Sequence, residues 1–119
     1  MKKISVIKNK FTLQVVEDIK REISASLGNE LKEIILYGSY ARDEQTDESD
    51  IDIVVLLDGD VLDMSGIRQK LADIKVDLSL KYDVVISIII KKYNHYLRNR
   101  DFVPFYSTID KEGVELYGG

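Results

Sequence analysis

The residues with the clearest chemical potential lie between positions 37 and 54. An apolar run, Ile34-Ile35-Leu36-Tyr37, halts at Gly38-Ser39, and a second run, starting at Ile51, is entered through Asp50 and contains Asp52. Side chains alternate across a strand, so Asp50 and Asp52 point the same way, with Cα atoms about 7 Å apart. Two carboxylates on one face repel each other unless something neutralises them. A hard divalent cation such as Mg²⁺ does this, and it commonly binds through one or two carboxylates plus substrate phosphates. Gly38, at a strand end, lets the backbone come close to a ligand. Ser39 adds a backbone N–H and a hydroxyl, both donors to phosphate oxygens. A short helix starting there would extend the anion site with its free N–H groups. One strand end thus offers phosphate donors and its neighbour offers metal ligands. That pairing suits a nucleoside triphosphate with bound Mg²⁺.

Gly38-Ser39, ten intervening residues and Asp50-x-Asp52 together resemble the signature of the DNA polymerase β-type nucleotidyltransferase superfamily. Tyr40-Ala41-Arg42 and Ser49 make the chain similar to the minimal nucleotidyltransferase (MNT) branch, which includes the antitoxins paired with HEPN-domain toxins. The resemblance implies an α/β nucleotidyltransferase fold, a small mixed sheet flanked by helices. It implies ATP as substrate, two Mg²⁺ ions, and Gly38 and Ser39 on the β- and γ-phosphates. It also implies a third carboxylate on the strand after the next helix. Asp83 is the first candidate for that acid, because it stands at the mouth of an apolar strand where an unpaired carboxylate is costly. Asp77 is the rival. The expected catalytic and metal-holding set is therefore Asp50, Asp52 and Asp83.

Arg42 follows Ser39 by three residues. It either reaches the same phosphates or sits in a surface ion pair. The family often has glycine after this arginine, and Asp43 stands there instead, which bears on the shape of the loop. Ser49 is expected to fix the backbone before Asp50. The activity implied is AMP transfer from ATP to a tyrosine of a cognate HEPN toxin, as in type VII antitoxins. A binding-only antitoxin and a small-molecule adenylyltransferase are the alternatives.

Composition limits the other classes. A chain of 119 residues is expected to be one domain over 1–119. Such a domain leaves no second unit to cradle an acceptor, so a complex with a partner protein that brings its own hydroxyl is expected. With no cysteine there are no disulfides and no thiolate metal site, and a reducing cytoplasm is the expected compartment. The basic start, Met1-Lys2-Lys3-Ile4, is not followed by an apolar signal core. The apolar runs fall far short of the ~20 residues of a membrane span. Between Asp43 and Asp63 there are nine acidic residues and no basic one, against 17 basic and 12 acidic elsewhere. A nucleic-acid binder shows a basic face. None is evident, so no nucleic-acid template is expected.

The positioning elements follow from periodicity. Thr12 is placed to cap a helix through Val16, Ile19, Ile23 and Leu27, with Gly28 as its stop. Residues 31–37 and 51–57 read as strands, with a short helix over 39–43 and a turn at Asp58-Gly59-Asp60. Asp60 or Asp63 caps a second helix striped by Ile67, Leu71, Ile74 and Leu78, ending near Leu80 or Lys81. Residues 83–90 read as a third strand. Residues 91–102 have no clear period. They hold His95, the one histidine, among Lys91, Lys92, Tyr93, Tyr96 and Arg98. That cluster is either a partner surface or simply solvated. Pro104 opens a helix to Gly113, and residues 114–117 form a short last strand.

Overall fold

The computed structural model describes residues 1–118. In chain order the elements are β1 (Lys2–Lys3), α1 (Lys10–Leu27), β2 (Leu31–Tyr37), β3 (Ile51–Leu57), α2 (Met64–Tyr82), β4 (Ile86–Lys92), α3 (Tyr93–Asn99), α4 (Pro104–Glu112) and β5 (Val114–Tyr117). The strands form one mixed sheet in the order β1-β5-β2-β3-β4. β2 runs antiparallel to both β3 and β5, while β3 and β4 are parallel, joined through α2. This is the α/β architecture the sequence implied. Among the described residues, no helix is long and apolar enough to cross a membrane.

The core explains why β2 and β3 are so apolar. Residues 53–57 are all fully buried, because helices cover both faces of the sheet. Ile51, Ile53, Val55 and Leu57 pack with α1 and α2. Val54 and Leu56 pack the other way, with Ile35, Tyr96, Tyr106 and Ile109 under α3 and α4. The even-numbered positions of β3 therefore face α3 and α4, and that line continues back to Asp52 and Asp50.

Several boundaries differ from the sequence reading. α1 is capped by Asn9, whose Oδ1 accepts the Thr12 N–H at 3.0 Å, so Thr12 lies inside the first turn and is buried. Asn and Thr both cap well, and the choice fell to the residue that leaves Thr12 facing the core. Asp63 caps α2 by accepting the Gly66 N–H at 2.9 Å. α2 continues to Tyr82 because its last turn is tied to α1: Lys81 and the Tyr82 hydroxyl both donate to Asp18, which also pairs with Arg21. Those partners, Tyr82 first, hold the Asp18 carboxyl well below the usual carboxylate range. β4 then begins at Ile86 rather than at Asp83, and it runs on to Lys92. β1 had no signature in sequence: two exposed lysines become a strand only by pairing with β5.

Candidate active site

The site grows from the end of β2. Tyr37 closes that strand, and Gly38 follows in the left-handed region at φ 75°. A Cβ at Gly38 would overlap the Asp52 carboxylate oxygen, so only glycine lets the turn lie this close to the aspartate. Asp52 pairs with Tyr37 on one side and with Ser87 of β4 on the other. Paired residues on adjacent strands share a face, so Tyr37, Asp52 and Ser87 form a row across three strands. Asp50 immediately precedes the strand, near enough for its charge to act on Asp52, and the Ile51 N–H bonds the Val85 carbonyl at 2.8 Å and fixes the entry into β3.

Electrostatics mark the same spot. Asp52 is half-buried, and burial followed by the charge of Asp50 pushes its carboxyl above the ordinary aspartate value. Burial and then Asp52 raise the Tyr37 hydroxyl. Tyr37 packs edge-on against Phe105 of α4, with ring centroids 5.4 Å apart.

The linker between the strands is a series of turns, not the short helix expected over 39–43. The Arg42 N–H reaches both the Gly38 and Ser39 carbonyls, and the Glu44 N–H bonds Ser39 at 2.9 Å. Asp43 is left-handed at φ 57°. The position where glycine is common in the family thus keeps a glycine-like conformation, which a short polar side chain tolerates. Ser49 closes the last turn before Asp50: its Oγ accepts the Thr46 N–H at 2.9 Å, and its own N–H bonds the Thr46 carbonyl. Arg42 is exposed and paired with Glu44 at 3.2 Å and Glu112 at 3.7 Å, the ion-pair alternative of the sequence reading.

Asp83 stands apart from the strand it was expected to open. It ends α2 in a left-handed conformation, its N–H bonded to the Ser79 carbonyl, and its side chain is exposed. It lines a cleft of about 370 Å³ with Asp50, Ser79 and Leu80. It also lines a larger cleft of about 510 Å³ with Tyr40, Asp47 and Phe11 of α1. Among the described residues, no three His, Cys, Asp or Glu side chains are grouped to hold a metal. Asp77 lies exposed within α2. Ser87 is the residue that sequence reading passed over. Its signal was phase: Ile86, Ile88 and Ile90 join the core under α1 and α2, leaving 87 on the aspartate face. The His95 cluster is tied into the α3–α4 pair, with His95 Nδ1 bonded to the Tyr106 hydroxyl at 2.7 Å and the Tyr96 hydroxyl donating to Asp110 at 2.9 Å.

The donor set fits a divalent cation bound with phosphates. Two carboxylates on one face supply hard oxygen ligands, and the backbone at Gly38 is open where a Cβ would obstruct.

Comparison with known proteins gives the family. A family profile described as Nucleotidyltransferase domain matches residues 16–110. A protein of Methanocaldococcus jannaschii, provisionally named a protein adenylyltransferase, is 39% identical over 106 residues, covering 87% of this chain and 97% of the relative. A second from the same organism, with the same provisional name, is 31% identical over 104 residues, covering 87% and 96%. A toxin–antitoxin crystal structure with AMP-PNP is similar at a TM-score of 0.58 and 22% identity, over 87% of this chain and 73% of that one. A complex of the tri-AMPylated Shewanella oneidensis HEPN toxin with its MNT antitoxin gives 0.52 and 21%, over 89% and 72%. At such identities the structural likeness speaks for the fold. The profile match takes in β2, β3, α2 and β4, and with them both Gly38 and Asp52, so the chain belongs to the nucleotidyltransferase domain family and is a nucleotidyltransferase.

Proposed function

We propose that this chain transfers the adenylyl group of ATP to a tyrosine hydroxyl of a HEPN-type toxin and thereby silences it, as a type VII antitoxin. The observation that carries the reading is the contact between the Gly38 turn and Asp52, with Asp50 beside it, at one end of the sheet. Mg²⁺ is the expected cofactor, and when bound it neutralises triphosphate charge. Asp50 and Asp52 would hold it. Gly38 and Ser39 face the β- and γ-phosphates and keep the pyrophosphate in place as it leaves. Ser49 holds the turn that delivers Asp50. Arg42 contributes to phosphate binding only if its pairs with Glu44 and Glu112 open. Asp83, which lines a cleft with Asp50, positions or activates the incoming acceptor.

In the transfer, the acceptor oxygen forms a bond to the α-phosphorus. The bond from that phosphorus to the bridging oxygen of the β-phosphate breaks, pyrophosphate departs, and the hydroxyl proton is lost to water. Catalysis of this kind rests on positioning and charge neutralisation. The chain acts as one cytoplasmic domain that needs the partner to supply the acceptor. The curated relatives' names support adenylyl transfer to protein, and the toxin–antitoxin neighbours support the partner class. The test is incubation with labelled ATP, Mg²⁺ and the product of the adjacent gene. Label should enter that product with wild-type protein and not with Asp50→Ala. Absence of label in both refutes the transferase for this pair. Neutralisation of the toxin in cells by the Asp50→Ala/Asp52→Ala protein would point to binding alone.

A further inference from the structure

The row Tyr37, Asp52 and Ser87 has a consequence for how many cations the site holds, one that rests on the reading just given. β4 is parallel to β3, with Ile51 opposite Ile86, Asp52 opposite Ser87 and Ile53 opposite Ile88. Ile51, Ile53, Ile86 and Ile88 enter the core under α1 and α2, so Asp52 and Ser87 share the opposite face. Adjacent strands lie about 4.8 Å apart. A carboxylate at 87 would therefore sit within reach of any ion that Asp52 holds. A serine hydroxyl there is neutral and offers a weaker oxygen. β4 itself, Ile-Ser-Ile-Ile-Ile-Lys-Lys, contains no acid. The nearest one before it, Asp83, lies outside the strand at the exposed end of α2. On this face only Asp50 and Asp52 offer carboxylates, so a second cation lacks a protein acid beside Asp52.

The geometry points to Ser87 as the residue that sets metal stoichiometry: Asp50, Asp52 and the Ser87 hydroxyl hold one divalent cation together with the nucleotide phosphates, and the second position lacks an acid on this chain. Ser87 is the neutral oxygen ligand beside Asp52.

The test uses Mn²⁺ and a non-hydrolysable ATP analogue on the full chain, read by electron paramagnetic resonance. Two Mn²⁺ ions about 3.5–4 Å apart, as in two-metal sites, are spin-coupled, whereas a lone ion gives an isolated sextet. Wild type and Ser87→Asn should give the isolated signal, and Ser87→Asp should give the coupled one. A coupled spectrum in wild type overturns the inference, and its loss in Asp83→Asn would assign the third ligand to Asp83. An isolated signal in Ser87→Asp that keeps wild-type circular dichroism also overturns it. If Asp50→Asn and Asp52→Asn leave Mn²⁺ binding to the nucleotide complex unchanged, the aspartate site itself is wrong, which is a separate failure.

Discussion

Gly38 and Asp52 are built as one piece: the glycine's missing side chain is the space that the aspartate's carboxylate occupies. They lie fourteen positions apart in the sequence, Gly38 in the turn after β2 and Asp52 within β3, and their contact ties that turn to that strand. Gly38→Ala would meet both a left-handed φ of 75° and this overlap. The variant should lose about 1–3 kcal/mol of stability. It should also lose adenylyl transfer by about 100-fold or more, because a displacement near 1 Å in a positioning site has that effect. Denaturant melts and label transfer measured side by side check both.

Asp52 should trade stability for function. Its folded carboxyl value is raised, by burial first and by Asp50 second. A group with a raised folded value stabilises below its unfolded value of about 3.9, and that contribution is lost as pH rises through the folded value. At neutral pH the ionised form is thus a burden. Asp52→Asn removes the charge without changing shape. It should raise Tm at pH 7 by about 2–3 °C, a modest gain because the side chain is partly solvated. It should abolish transfer. A Tm unchanged at pH 7 would mean that Asp52 is not under charge strain.

Glu33 should make the fold sensitive to mild alkali. It is a buried carboxyl on β2, and burial, then hydrogen bonding and charge from Glu115, push its value up to about 7, with Asp110 adding to the rise and Lys3 opposing it. Its stabilising contribution is full below the ordinary glutamate value and lost as pH rises through 7. Thermal melts should therefore fall by several degrees between pH 5.5 and 8.5. Glu33→Gln should flatten that slope. A wild-type Tm level across this window would count against the prediction.

Asp83 offers a way to separate backbone from carboxylate. Its left-handed cap at φ 51°, ψ 50° suits glycine better than alanine. Asp83→Gly should melt at or above wild type, and Asp83→Ala should lose about 1 kcal/mol. If the side chain is not a shared ligand with Asp50 and Asp52, Asp83→Gly keeps most of the label transfer. Complete loss in a variant that melts like wild type would show that the carboxylate belongs to the catalytic set.

The sequence alone determined the parts governed by local rules. β2 and β3 were legible to the residue because their apolar runs end at Gly38 and Asp58, and Gly28 and Pro104 mark a helix stop and a helix start by their own backbone preferences. The common face of Asp50 and Asp52 follows from strand alternation and needs no partner strand. What only the tertiary structure decided is pairing. Arg42 meets Glu112 from the far end of the chain, and β1 exists only against β5. The third position beside Asp52 depends on the register of β4, since a shift of one residue turns every side chain to the other face. That register is set by isoleucines joining the core under α1 and α2 and by pairing with β3, thirty-five residues earlier in sequence. The alternation of Ile86, Ile88 and Ile90 tells which face Ser87 takes but not which residue lies opposite it, which is why Asp83 stood out in the sequence while Ser87 took the place beside Asp52 in the fold.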